Sequence, residues 1–321
     1  MNPTTKDSVR SPAHRVVLEQ GLLSMMNEQE NPPHPDQPSE EPQNDLTRKF
    51  TEEEWTALKA FRLLTVSELE STLPDLFAEA FPDKPDVRTT PINLWGILIH
   101  PTDFGDARAS VVLMKFLRAS GSTSLRNLDT TGAKDMLIKT LRWRDSFKPE
   151  ETFNEDFPVE IFGNLGHVSG VDNEGRPVTY NLYGANQDLK AIFGDIPRFL
   201  RWRVSLMERG IQKLNFETTD QMLQVHDYEG VSLSSRDANS KKAANDATEI
   251  FTNYYPEFLW FVNVPTIMAW IFWAFKPFLP TSTAAKMSVV GHGSDVIGKD
   301  LLPYIPKDQL PERYGGAAEA F

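Results

Sequence analysis

The chain has 321 residues, 40% of them hydrophobic and 24% charged, which is enough apolar material for a sizeable core in one large domain or two. Thirty-three Lys and Arg against 45 Asp and Glu leave a net charge of −12, which argues against the broad basic surface that nucleic-acid binding runs on. The absence of cysteine removes disulfides, thiolate-held zinc, iron–sulfur clusters, cysteine nucleophiles and covalently attached haem.

Residues 1–46 read as a disordered leader. Five prolines fall between Pro32 and Pro42, and 3 basic against 8 acidic residues give the segment a net charge of −5. Such a composition buries too little apolar surface to offset chain entropy; residues 16–26 are a short apolar patch within it. The N-terminus has no apolar signal-peptide core, which together with the missing cysteines points to the cytosol or a cytosolic membrane face. Helices are predicted from Thr51, which forms a capping box with Glu54 ahead of Trp55, Leu58 and Phe61. Ser67 and Glu70 form a second ahead of Leu69, Leu73 and Leu76. Residues 106–118 and 131–143 read as two further helices, so 47–149 is predicted to be a helical N-terminal subdomain, with His100 closing a helix after the apolar run LWGILI.

From Phe157 the period changes, and 150–321 reads as a second subdomain. His167 falls in a Gly-flanked turn. Residues 178–183 (VTYNLY) alternate like a strand. A helix is predicted over 196–214, with basic clusters at Arg198, Arg201 and Arg203. A strand follows over 221–233, a helix over 241–255, a strand over 259–264 and a strand around 286–290. A short helix follows Ser294. Strands alternating with helices indicate an α/β fold with a mostly parallel sheet. Residues 258–275 carry no charge over 18 positions, the short edge of a membrane span. Asn263 and Pro265 interrupt the run. It reads instead as a buried strand followed by a very apolar helix, and no transmembrane span is expected.

Five segments in order resemble the CRAL-TRIO lipid-binding family. Lys115 to Ala119 (KFLRA) looks like its RFLRAR element, and 136–147 (MLIKTLRWRDSF) like the helix with a W-R pair that follows. Residues 171–178 (VDNEGRPV) are similar to its G-x-D-x-x-G-R-P-V turn. Residues 253–286 give NYYPE, a strand ending in N-x-P, then KPFLP, then a Lys. Residues 310–316 (LPERYGG) match its terminal motif. The resemblance implies an N-terminal helical subdomain followed by a βα fold, whose mostly parallel sheet floors a hydrophobic pocket closed by a gate helix. The apolar helix holding Ile267, Trp270, Ile271, Trp273 and Phe275 is apolar nearly all round and takes the gate's place; its plainer alternative is a core helix.

The resemblance also assigns a ligand. In phosphatidylinositol-transferring members the inositol phosphate is read by positions that here are Glu257, Thr283 and Lys286, with Arg118 contributing from the helical part. A lysine suits a phosphate, and a carboxylate accepts from inositol hydroxyls. The alternative for Glu257 and Lys286 is a structural ion pair. In the strand reading QVHDYEG, His226 and Tyr228 are two apart and project to one face. The pair resembles the haem-binding fungal branch of the family, whose members are non-classical phosphatidylinositol transfer proteins. That branch implies Tyr228 as a phenolate ligand to ferric haem b, with His226 close by. Asp227 and Glu229, on the other face, read as solvated or capping residues. No metal spacing links the remaining histidines; GHGSD around His292 lacks the Walker spacing, and there is no GxSxG or HExxH. The expectation is a carrier and not an enzyme: it binds and transfers phosphatidylinositol, takes haem in the same cavity, and touches membranes peripherally at the endoplasmic reticulum or other cytosolic faces. The alternative is primarily a haem protein of haem handling or oxidant stress.

Overall fold

Thr51 and Glu54 exchange both hydrogen bonds of the expected capping box, at 3.0 and 3.2 Å, and helix α1 (Glu52–Leu63) starts there. The computed structural model describes residues 41–63, 73–120, 128–231, 237–256, 259–262, 287–288 and 293–321. The Ser67–Glu70 box, residues 1–40 of the leader, the apolar helix with Ile267, Trp270, Ile271, Trp273 and Phe275, and Glu257, Thr283, Lys286 and His292 lie outside these. Helix α2 (Leu73–Ala80) buries Leu73, Leu76 and Phe77. Helix α3 (Ala107–Ser120) follows a hairpin, and α4 (Thr130–Phe147) begins where the Asp129 carboxylate accepts from the Thr131 amide.

That hairpin interrupts the otherwise helical half. Strands β1 (Ile92–Leu94) and β2 (Ile97–Ile99) pair antiparallel around Trp95 and Gly96. Both turn residues have positive φ, 55° and 83°, as a type I′ turn requires; glycine takes the second position without strain. His100 therefore follows a strand and does not end a helix. The leader also ends earlier than the proline-rich composition suggested. Asn44 Nδ2 donates to the Phe216 carbonyl at 2.9 Å, the Leu46 amide donates to the Glu217 carbonyl, and the Glu41 carboxylate meets the buried Arg62 at 2.8 Å.

The second half is a five-stranded mixed sheet in the order β3-β4-β5-β6-β7. Strand β3 (Gly166–Val171) pairs antiparallel with β4 (Pro177–Leu182). The remaining neighbours, β5 (Met222–Asp227), β6 (Leu259–Val262) and β7 (Met287–Ser288), are parallel. The β3–β4 turn is the GRPV motif. The Asp172 carboxylate accepts from the Glu174 and Arg176 amides and pairs with the buried Arg176 guanidinium at 2.6 Å. His167 lies in β3 and not in a turn; its ring stacks on Phe321 at 4.3 Å.

Helices α5 (Val159–Phe162), α6 (Leu189–Phe193), α7 (Ile196–Ile211) and α8 (Ala238–Tyr254) precede or connect the strands, and α9 (Ser294–Leu301) follows them. One sheet face is apolar: Val178, Tyr180, Leu182, Leu223 and Val225 pack on Leu301, Ile305, Leu310 and Tyr314. The alternate residues Thr179, Asn181, Gln224 and His226 form the other face, and Gln224 reaches Met207 of α7. Polar residues line that face because a strand alternates strictly.

The packing does not divide at the predicted subdomain boundary of 149/150. One apolar cluster joins Leu113, Phe116, Leu137 and Leu141 to Met207, Ile211, Phe216 and Met222, and residues 41–321 form one compact unit. Two buried ion pairs cross the same line: Lys115 with Asp220 at 3.0 Å, and Arg144 with Glu208 at 2.6 Å. The Tyr255 hydroxyl donates to the same Glu208 carboxylate at 2.6 Å, and the Tyr254 ring stacks on Trp143 at 4.7 Å. The W-R pair of α4 thus holds the YY of the NYYPE motif.

Candidate functional site

In open α/β sheets, ligands gather outside the carboxyl ends of the parallel strands. Here β4 and β5 end side by side, with Asn181 opposite His226 and Leu182 opposite Asp227. The loops beyond them touch. A Cβ on Gly184 would lie 1.8 Å from the Glu229 carbonyl oxygen, so only glycine admits this approach. Gln187 Nε2 donates to both the Gly184 and Gly230 carbonyls, at 2.6 and 3.2 Å. The result brings the Tyr183 and Tyr228 rings to 4.6 Å between centroids.

The Tyr183 ring meets both His226, near the end of β5, and Tyr228, one residue beyond it. Tyr183 Oη and His226 Nδ1 are 2.6 Å apart. Arg203 of α7, 5% exposed, lies over the Phe251 ring at 4.6 Å and hydrogen-bonds the Tyr183 phenol. Burial pushes the His226 imidazole down to about 3, and the Arg203 charge adds to the effect, so the ring is neutral across the physiological range. Burial raises the Tyr183 phenol, with Arg203 opposing the shift. Burial lowers the guanidinium of Arg203, against the pull of Tyr183, Tyr228 and Tyr255. A small cleft adjoins the group, walled by Leu165, Ile192, Phe193, Phe199 and Trp202, with Asn181, Tyr183 and Arg203 as its polar members.

Asp227 on the opposite face is neither solvated nor a plain cap. It is 5% exposed and accepts from the Tyr314 hydroxyl at 2.7 Å and from Arg313 at 2.9 Å, both in the LPERYGG motif. It also caps the Glu229 amide at 2.8 Å, while the Glu229 side chain is exposed. Burial of the sheet face makes the ion pair necessary. Arg118 sits in α3, with its Nε 2.8 Å from Glu54 and its guanidinium over Phe50. It is therefore engaged within the helical half.

Sequence reasoning missed Tyr183 and Arg203. Both carried a signal. Arg203 stands four residues after Phe199 and four before Met207, on the apolar stripe of α7, where a lone guanidinium is out of place. Tyr183 continues the Thr179, Asn181 alternation. Among the described residues no group of three or more His, Asp or Glu has the arrangement of a metal site.

Comparison with known proteins places this architecture. The chain matches the CRAL/TRIO domain over residues 162–316. It is 38% identical over 249 residues to the phosphatidylinositol transfer protein SFH5 of Phaeosphaeria nodorum, covering 71% of each chain. It is 36% identical over 242 residues to the phosphatidylinositol transfer protein sfh5 of Botryotinia fuckeliana, and 37% identical to that of Sclerotinia sclerotiorum. Its match spans 52% and 57% of the lengths of those last two relatives. The crystal structure of Sfh5 superposes with a TM-score of 0.61 at 27% identity, covering 78% of this chain and 83% of that one.

Proposed function

From the premise that the chain belongs to the CRAL/TRIO-domain family of Sfh5 phosphatidylinositol transfer proteins, we propose that it binds phosphatidylinositol and carries it between membranes. The observation that carries this reading is the 38% identity over 71% of both chains to a relative of that name. The headgroup residues we assign are Glu257, Thr283 and Lys286: a cation for the phosphate and acceptors for the inositol hydroxyls. The clamp of Tyr254 and Tyr255 on Trp143 and Glu208 supports the assignment, because it fixes the chain two residues before Glu257. The apolar segment with Ile267, Trp270, Ile271, Trp273 and Phe275, expected from the sequence to be a helix, serves as the gate. It meets the bilayer at cytosolic faces such as the endoplasmic reticulum when lipid is exchanged. No helix among the described residues is long and apolar enough to cross a membrane. The protein acts as a carrier and not as a catalyst.

A second reading is favoured by one observation, the gathering of Tyr183, Arg203, His226 and Tyr228 beside an aromatic cleft. The donor chemistry of these residues suits a haem. Tyr228 offers a phenol, the buried Arg203 charge favours its phenolate, and Phe193, Phe199 and Trp202 offer apolar walls. Haem bound there would supply a ferric centre, with Tyr228 as the residue to hold it. Lipid and haem then compete for one cavity.

One pair of variants separates the two readings. Lys286→Ala is expected to abolish phosphatidylinositol transfer between vesicles, with the far-UV circular dichroism unchanged; a collapsed spectrum would mark Lys286 as half of a structural ion pair. Protein expressed with haem precursor is expected to show a Soret band that Tyr228→Phe loses or shifts. A chain that takes no haem leaves the carrier reading alone.

A further inference from the structure

Glu208 of α7 holds one hydrogen bond more than its charge requires. Its carboxylate is buried, and Arg144 of α4 meets it twice, Nη1 donating to Oε1 at 2.6 Å and Nη2 to Oε2 at 3.2 Å. A bidentate pair of this kind neutralises both partners. The Tyr255 hydroxyl adds a third bond, to Oε1 at 2.6 Å. Packing does not need that hydroxyl. The buried Tyr255 ring meets Trp143 edge-on at 5.7 Å and Phe251 at 5.5 Å, contacts that a phenylalanine would also make. What the oxygen adds is a fixed position for the ring and for the backbone that carries it.

That backbone is where α8 gives way to β6. Tyr255 ends the helix in a non-helical conformation, φ −127° and ψ 71°. The residue after it, Pro256, is buried, has a fixed φ and offers no N–H. Strand β6 begins at Leu259, paired with Met222 of β5. Glu257 is therefore the middle one of three residues between the Tyr255 anchor on α7 and the β5–β6 ladder. We propose that the Tyr255 hydroxyl is a positioning group for Glu257: its bond to Glu208 sets where the Glu257 carboxylate meets the inositol hydroxyls. This rests on the phosphatidylinositol reading and on Glu257 as a headgroup residue. Arg144 brings the helical half into the same task, because it holds Glu208 in place to accept.

The test uses the full chain and phosphatidylcholine vesicles carrying phosphatidylinositol. Glu208 is a poor probe, since its removal leaves Arg144 buried and unpaired. The proteins compared are the wild type, Tyr255→Phe, Glu257→Gln and the double variant. Tyr255→Phe is expected to keep the wild-type far-UV circular dichroism and to slow phosphatidylinositol transfer by about tenfold. Gln keeps one acceptor oxygen, so Glu257→Gln retains measurable transfer. The double variant is expected to transfer no more slowly than Glu257→Gln, because the hydroxyl acts through that carboxylate. A double variant slower by the full Tyr255→Phe factor marks a merely structural hydroxyl and overturns the proposal. So does Tyr255→Phe transferring at the wild-type rate, or failing to fold; each leaves the carrier reading standing. Glu257→Gln at the wild-type rate removes the headgroup assignment and the proposal together. A wild type that transfers no phosphatidylinositol sinks the carrier reading itself and the proposal with it.

Discussion

His226 and Asp227 are adjacent in the chain and opposite in chemistry. The alternation of β5 sends Asp227 to Tyr314 and Arg313, where its charge is met, and His226 to Tyr183, where a charge is not tolerated. The consequence is a pH dependence with a definite sign. An unfolded imidazole takes its proton near 6.5, while the folded one resists until about 3. The unfolded state binds more protons throughout that window. Stability is therefore full above pH 6.5 and falls as the pH drops, by up to about 1.4 kcal/mol per unit from this group. Urea midpoints at pH 7, 6 and 5 are expected to decline with that slope, and His226→Gln to flatten it. Parallel declines in both proteins would show that other groups set the acid sensitivity. At this scale the sequence was half legible. The period-2 pattern grouped His226 with Tyr228, but the partners that set their chemistry come from α7 and the end of β4. Those partners are contacts of high sequence separation that no local pattern encodes.

Elements were read where periodicity is strong and missed where three residues suffice. The helices at 107–120 and 130–147 and the strand at 177–182 were legible from spacing alone. The β1–β2 hairpin was absorbed into a helical reading because INLWGILI is too short and too apolar to show a period; the signal was the Gly96 turn. The strand from 221 was expected to run to 233 but ends at Asp227, where Gly230 (φ 81°) turns the chain and the Gly184 loop closes against it. The proline count likewise hid the end of the leader. Residues 41–46 are tied by Asn44, Leu46 and Glu41 to the loop at 216–217 and to Arg62. A chain beginning at residue 41 is expected to unfold at the wild-type urea midpoint. One beginning at residue 47 leaves the buried Arg62 without its carboxylate and is expected to lose about 3 kcal/mol or more. Equal midpoints for the two truncations would show that the strap contributes nothing.

The molecule as a whole uses its sheet asymmetrically. Its apolar face is sealed by the C-terminal segment, and its polar face turns toward α7, where Arg203, Tyr183 and His226 meet. Resemblance motifs that looked independent in the sequence prove to be contact partners: Asp227 of the β5 strand with LPERYGG, and the W-R pair with NYYPE. A third consequence concerns where the protein can be cut. The CRAL/TRIO match runs over 162–316, but Arg144 and Lys115 lie before it, and they neutralise Glu208 and Asp220 within it. Excising the matched stretch as a recombinant piece would strip both carboxylates of their cations and bare the apolar surface of Met207, Ile211 and Met222. Removing one partner of a buried pair alone costs about 3–5 kcal/mol, a large part of what holds a domain together. The helical half thus supplies counter-charges to the sheet half, and the smallest piece expected to fold alone is longer than the stretch that matches the family.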